Sequence, residues 1–385
     1  MVTTGLTEAG SRAAPYTFAV PGVEEGAGVL GADPLAPVTK TVAPRTFMFV
    51  PLTVDRQRCA RLGSVSRDRI CGLGGEDWSM TMDHRTRTLI VAANGRVASR
   101  VAAKLSAAGD APDVLVRDAA KAERVLVDER GRPTYNDLFV GELANDETMR
   151  HAMSGAAIAF LAVGSSPAQE DLEKHVIDAA QQSSLGHLVK LSAALAAHDA
   201  VSSVLRVHAE IENYLVKSQV PHTLVSPTSF MELVFIDAAS IRECNRWVGT
   251  APDGVNALID SEDVVDVVVE VLREPSKRGG NHLLTGPEAL SWLDVARAMS
   301  TVTGRTITYD AISTKARRDQ LENAGLAQWR IDLLLGIDEL NRHSIYSIPN
   351  DSVRELAGHP AHNIEDFLRR HQAVITPPLK DEHAR

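Results

Sequence analysis

Two groups of residues in this 385-residue chain have the types and spacing for chemistry. The first is Ala93-Asn94-Gly95-Arg96-Val97, between a short apolar run and a helical pattern. A helix that starts there offers unpaired N–H groups and a partial positive charge, which together hold a diphosphate. Glycines let such a ligand approach the backbone closely. Here Gly95 stands alone, with Ala92 and Ala98 where two further glycines are expected. The second group is Lys190, Ser192 and His208. A hydroxyl and an imidazole together handle a proton near neutral pH. His198, between them in sequence, is a weaker candidate, and no serine sits in a Gly-x-Ser-x-Gly elbow.

Other polar residues fall where the ends of parallel strands are expected. Arg117-Asp118 closes the second apolar run, and Lys121 follows. In a dinucleotide fold that strand end meets the adenosine ribose. A basic residue there favours the 2′-phosphate of NADP, and an acidic one the free ribose of NAD. Arg117 comes first, so NADP is expected. Glu142, in Gly141-Glu142-Leu143, is placed to accept from an adenine amine. Ser165 and Ser166 stand at the mouth of the fourth strand.

The elements that position these groups alternate in type. Strands are expected at Thr88–Ala92, Asp113–Arg117, Asp137–Gly141, Ala156–Val163, His187–Leu191 and His222–Ser226. Val97, Val101 and Leu105 mark one helix face by their four-residue spacing. Helices are also expected from Asp146 behind an Asn145 cap, over Glu170–Ser183, and over Ser202–Ser218. This alternation predicts an α/β fold with a doubly wound parallel sheet of Rossmann type. Beyond Pro227 the pattern loosens. Strands are expected at Ala257–Asp260, Asn281–Leu284 and Thr306–Tyr309. Helices are expected over Asp263–Leu272, from Ser291 (with Asp294 completing a capping box) and over Ile364–His371. The helical stretches after Arg317 are expected to cover the substrate side.

The chain divides at composition shifts. Residues 1–85 hold scattered Gly, Pro, Ala and Thr without a persistent period, and read as a poorly ordered extension or a misplaced start near Met80 or Met82. Arg56, Arg58, Arg61, Arg67 and Arg69 make a basic cluster there, an arm for an anionic partner on the less favoured reading. Residues 86–232 form the dinucleotide-binding core. Residues 233–375 form a smaller α/β substrate lobe, from which strand 281–285 returns to the core, and 376–385 form a tail. A formal charge of −10 argues against nucleic acid as the main partner. No apolar run is long enough for a membrane span and no secretory signal is visible, so a cytoplasmic protein is expected. Cys59, Cys71 and Cys244 lack metal-ligand spacing, so no metal is expected.

From Thr86 to Ile375 the chain resembles the NmrA-like group of atypical short-chain dehydrogenase/reductases. The likeness lies in Leu89 to Ala98, Leu115-Val-Arg-Asp118, Gly141-Glu-Leu143, His187-Leu-Val-Lys-Leu-Ser192, His208-Ala-Glu-Ile-Glu212 and Leu224-Val-Ser-Pro-Thr-Ser-Phe-Met231. Leu284-Thr-Gly-Pro-Glu-Ala-Leu-Ser291 and Ile364-Glu-Asp-Phe367 extend it. Three departures stand out. The phosphate turn has alanine at both ends. The Tyr-x-x-x-Lys pair of ordinary members falls on Val204 and His208. Ser226 takes the place of a frequent arginine before Pro227.

The resemblance implies an NADP(H)-binding oxidoreductase of a small aromatic or quinoid molecule. Ala93, Asn94, Gly95, Arg96 and Val97 would hold the diphosphate, and Arg117 and Lys121 the 2′-phosphate. Glu142 and Leu143 would flank the adenine, and Val163 and Gly164 would border the nicotinamide ribose. His208, Ser192 and Lys190 would position or protonate the substrate, with Phe230 and Met231 as an apolar wall. Two alternatives stay open. One is a dinucleotide-sensing regulator without turnover. The other is a tailoring enzyme of an aromatic natural-product pathway that uses no cofactor. A homo-oligomer is also left open.

Overall fold

A computed structural model describes residues 87–377. The 1–85 extension, its basic cluster, Cys59, Cys71, the Met80/Met82 start and most of the 376–385 tail lie outside the described residues. The first half alternates strand and helix as expected: β1 (Thr88–Val91), α1 (Arg96–Ala107), β2 (Asp113–Val116), α2 (Ala119–Val125), β3 (Leu138–Val140) and α3 (Asp146–Met153). Then come β4 (Ile158–Leu161), α4 (Gln169–Gln181), β5 (His187–Leu191), α5 (Ser203–Ser218) and β6 (His222–Pro227). Asn145 caps α3 by accepting from the Thr148 amide. Its exposed carbonyl-type oxygen satisfies one of the orphan donors that every helix start leaves.

The remainder adds α6 (Ala238–Cys244), β7 (Arg246–Gly249), β8 (Val255–Asn256), α7 (Ser261–Arg273), β9 (Asn281–Leu284) and β10 (Leu290–Ser291). It ends with α8 (Trp292–Thr303), β11 (Thr308–Ala311), α9 (Thr314–Asn323), α10 (Gln328–Arg342), α11 (Ser352–Ala357), α12 (Ile364–Arg370) and α13 (Gln372–Ile375). Ser291 and Asp294 form the expected capping box on α8. The strand expected at Ala257–Asp260 is displaced. Pairing is confined to β8, and beyond it only a single Phe230–Ile259 bridge forms. The polar and small residues at 250–254 leave no alternating pattern from which to read β7 and β8.

Seven strands form one parallel sheet in the order β3-β2-β1-β4-β5-β6-β9. The order reverses between β1 and β4, so their C-terminal ends border a crevice, the usual ligand position in such sheets. Both faces are covered, which is why β1, β2 and β4 are apolar almost throughout. On one face Ile90, Val114, Phe160 and Val189 pack with α1 and α7. On the other Leu89, Leu115, Leu161 and Leu188 pack with α3, α4 and α5. Thus α7, drawn from the stretch expected in the smaller lobe, lies against the sheet. A separate core around Trp247, Trp292, Val295 and Phe367 holds the C-terminal lobe together.

Candidate functional site

The turn after β1 is built around one strained residue. Ala92 takes φ of 57°, the left-handed region that glycine enters freely and alanine enters at a cost of about 1–2 kcal/mol. Gly95 then donates its amide to Ala92 O at 3.0 Å and serves as N-cap of α1 without any side-chain cap. Among the described residues the amides of Arg96, Val97 and Ala98 have no backbone partner. A Cβ on Gly95 would sit 3.3 Å from Ala92 O and 3.8 Å from Ala162 O, at the end of β4. The turn therefore faces the crevice where strand order reverses. The Ala98 methyl is fully buried beneath α1 and would stand 3.9 Å from that Cβ, an ordinary van der Waals contact. Asn94 ties the turn to the next strand end, donating to Asp118 O at 2.8 Å. Its Oδ1 is buried without a partner among the described residues. An uncapped helix start whose first amides are free to donate fits a diphosphate, while the orphaned amide oxygen beside it can accept only from a hydroxyl or N–H.

Arg117 and Lys121 are exposed beyond β2. The Asp118 carboxylate accepts the Lys121 amide as N-cap of α2, so it is already engaged. Glu142 is exposed, while Leu143 packs into the α3/α4 side of the core. Val163 and Gly164 follow β4 at the crevice edge, the first half-buried and the second exposed.

The structure brings Lys190, Ser192 and His208 together and joins them to two acids. Strand alternation turns Leu188 and Lys190 toward α4 and α5. Lys190 Nζ lies 2.9 Å from Glu173 Oε2, 3.0 Å from Leu191 O and 3.2 Å from His208 Nδ1. Both ions of that pair are fully buried. Gln169, on α4, donates to the other Glu173 oxygen at 3.0 Å. Ser192 Oγ donates to Glu212 Oε1 and lies 3.4 Å from His208 Nδ1.

This geometry corrects two expectations. Lys190 does not face a substrate; it is an interior cation neutralised by Glu173. His208 does not titrate near neutral pH, because burial, reinforced by the Lys190 charge, holds it well below the usual imidazole value. An ammonium has no acceptor, so Lys190 donates to Nδ1 and the His208 proton resides on Nε2. Nε2 has no partner among the described residues, nor is it among the sealed, unpartnered atoms. Burial pushes the Glu212 carboxyl above its ordinary value, opposed by the Ser192 hydrogen bond and by Lys190. Glu212 lies one helical turn beyond His208 and was readable by its i, i+4 spacing. Glu173 comes from a different helix, and no local signal pointed to it.

A third correction concerns the apolar wall. Phe230 is half-buried against the sheet, but Met231 is 1% exposed and belongs to the core of the C-terminal lobe. Ser226 is likewise buried, and its hydroxyl has no partner among the described residues.

Two histidines, half-buried His187 and buried His208, set a pH dependence. His187 is held down to about 4 by burial first and then by the Arg278 and His222 charges, and His208 is held low as described. In the unfolded chain both take up protons near pH 6.5, whereas in the folded chain His187 resists until about pH 4 and His208 is also held well below its ordinary value. The unfolded state therefore binds more protons in this window, and stability falls as pH falls from 6.5 toward 4. Melting temperatures across that range should decline steadily, and His187→Gln should flatten the slope. A level profile between these limits in the parent protein would contradict the assignment.

Comparison with known proteins bears on the fold and on its NAD(P)H-binding class. Residues 92–275 match the family model described as NAD(P)H-binding. An NAD(P)H azoreductase of Xenophilus azovorans is 28% identical over 287 residues, covering 74% of this chain and 98% of that protein. The NADPH-dependent quinone oxidoreductase of Escherichia coli, solved with NADPH, superposes with a TM-score of 0.67 at 20% identity, covering 74% of this chain and 99% of that one. NmrA, a negative transcriptional regulator solved with NAD, gives a TM-score of 0.59 at 20% identity, covering 74% of this chain and 95% of that one. No helix among the described residues is long and apolar enough to cross a membrane. Residues 92–275 thus match a model described as NAD(P)H-binding, and the chain shares the Rossmann-like α/β fold of NmrA and the quinone reductase.

Proposed function

We propose that this protein is an NADPH-dependent reductase of small aromatic or quinoid molecules. One observation carries the reading: the uncapped start of α1 and the Ser192–His208 corner share the C-terminal edge of one sheet, β4 lying between them. The names of its relatives, an azoreductase and a quinone oxidoreductase, support the same class.

The backbone of Ala93, Asn94, Gly95, Arg96 and Val97 would hold the diphosphate, and Arg117 and Lys121 the 2′-phosphate. Glu142 and Leu143 would flank the adenine, with Val163 and Gly164 beside the nicotinamide ribose. Bound there, the cofactor supplies a hydride. The chain supplies polarisation and a proton. His208 Nε2–H donates to the acceptor atom of the substrate as a neutral imidazole, fixed in that tautomer by Lys190. Once Glu212 is protonated, which its raised carboxyl favours, the Ser192–Glu212 hydrogen bond reverses and Ser192 Oγ gives its own proton to the substrate while taking one from Glu212. Phe230 offers an apolar surface. Lys190 and Glu173 position this group without touching substrate.

The test is NADPH oxidation with a panel of quinones and azo compounds. Turnover is expected, and Arg117→Ala should weaken NADPH by tenfold or more relative to NADH, since a charge-assisted phosphate contact contributes about 1.5–3 kcal/mol. Equal loss for both cofactors would refute the 2′-phosphate role. A second reading, a cytoplasmic dinucleotide sensor, is favoured by Val204 and His208 standing where a tyrosine and lysine fall in ordinary relatives. Tight NADPH binding without oxidation of any acceptor would select it. No binding of either cofactor would leave only cofactor-free tailoring of an aromatic product.

A further inference from the structure

We propose that the cavity between the first turn of α1 and the α9–α10 pair receives an aromatic anion, so that the preferred substrate carries a sulfonate, carboxylate or phosphate. The inference rests on the reductase reading and adds the chemical class of its acceptor. The cavity measures about 420 Å³, within the range of small-molecule sites. Phe235, Leu326 and Leu334 form apolar walls, and Arg96 and Arg330 lie at its margin.

The charges in its walls do not cancel. Arg317, itself 6% exposed, grips Asp237 through two bonds of 3.0 and 2.7 Å. The Glu232 carboxylate accepts from Ser261 Oγ and lies 3.8 Å from Arg100 Nη1. Asp237 is thereby compensated, while Glu232 shares Arg100 with Glu262 and keeps its buried Oε2 without a partner among the described residues. Among the described residues neither Arg96 nor Arg330 has a carboxylate within ion-pair distance. The start of α10 has no side-chain cap either, and its partial positive charge adds to theirs. In a chain of net charge −10 this is a locally cationic, apolar-walled recess.

The helix that lines the recess also reaches the elements that follow Ser192. Farther along α10, a Cβ on Gly336 would stand 3.1 Å from Ser202 Oγ, at the start of α5. Leu340 packs with Ala194 and Leu205, in the loop and helix that follow Ser192. One helix therefore spans from Arg330 to the Ser192–His208 corner. An extended aromatic body held by its anionic end at Arg330 would lie beneath that helix.

The experiment compares 1,4-naphthoquinone-2-sulfonate with neutral menadione in the parent protein and in Arg330→Gln. The parent should prefer the sulfonate. The variant should lose about tenfold in the ratio of kcat/KM for the sulfonate over menadione, the scale of one charge-assisted contact. An unchanged ratio would overturn the proposal. So would a loss of NADPH affinity in Arg330→Gln as large as the loss for the sulfonate, because the arginine would then serve the cofactor's phosphates. If the parent reduces neither quinone, the reductase reading fails by itself. Calorimetry with naphthalene-2-sulfonate then decides the cavity: binding weakened by Arg330→Gln upholds it, and no binding to the parent overturns it.

Discussion

Gly95→Asp is expected to abolish NADPH binding while leaving the fold intact. Gly95 has φ of −72° and ψ of 155°, an extended conformation open to any residue. It is the N-cap of α1, a position where aspartate is among the best residues and is at least as stabilising as glycine. The new carboxylate would accept from the orphan amides near Val97 and Ala98, the donors assigned to the diphosphate. It would also set a negative charge where the phosphates must sit, and its Cβ would press on Ala92 O at 3.3 Å. Lost hydrogen bonds and like-charge repulsion together cost on the order of 3 kcal/mol or more, at least a hundredfold in affinity. The melting temperature should stay the same or rise slightly. Titration of NADPH by fluorescence or calorimetry reads the first effect and a thermal melt the second. Affinity within threefold of the parent would remove the diphosphate from this turn.

Lys190→Met should destabilise the protein more than any surface change. It strands the Glu173 carboxylate in a fully buried position beside Gln169. Breaking a buried ion pair by removing one partner costs about 3–5 kcal/mol, because the remaining charge is uncompensated. For a domain of this size that lowers the melting temperature by roughly 6–15 °C. The double variant Lys190→Met/Glu173→Gln removes the orphaned charge, keeps an amide against Gln169, and should recover more than half of the loss. A single variant as stable as the parent, or a double variant no better than the single, would show that the pair is not balanced as described. In both variants His208 also loses the donor that fixes its tautomer, and kcat should fall even where the fold is restored.

Most of the layered core was legible from the chain. The His187–Leu191 and Asn281–Leu284 strands carry apolar runs bounded by glycine or polar residues, and both appear at those bounds. The Asn145 and Ser291 caps were readable because capping is local, settled within four residues. Strands β7 and β8 were not, since Arg246-Trp-Val-Gly249 pairs with β11 across a long separation and has little period of its own. The site divided in the same manner. Glu212 was not singled out, although its helical spacing from His208 is a local signal that points to it. Glu173 has no such signal, because α4 and α5 meet only after the sheet has brought them side by side.

Local pattern alone determined the parallel sheet, the helix start at Arg96 and the clustering of polar residues at strand ends, because hydrophobic periodicity and capping act over a few residues. Protonation states depended on the packed structure. Lys190 and His208 look like solvent-facing catalysts in one dimension; burial and a partner from another helix make one an enclosed cation and the other a neutral imidazole. Desolvation and charge pairing depend on neighbours distant in sequence, and only the folded chain supplies them.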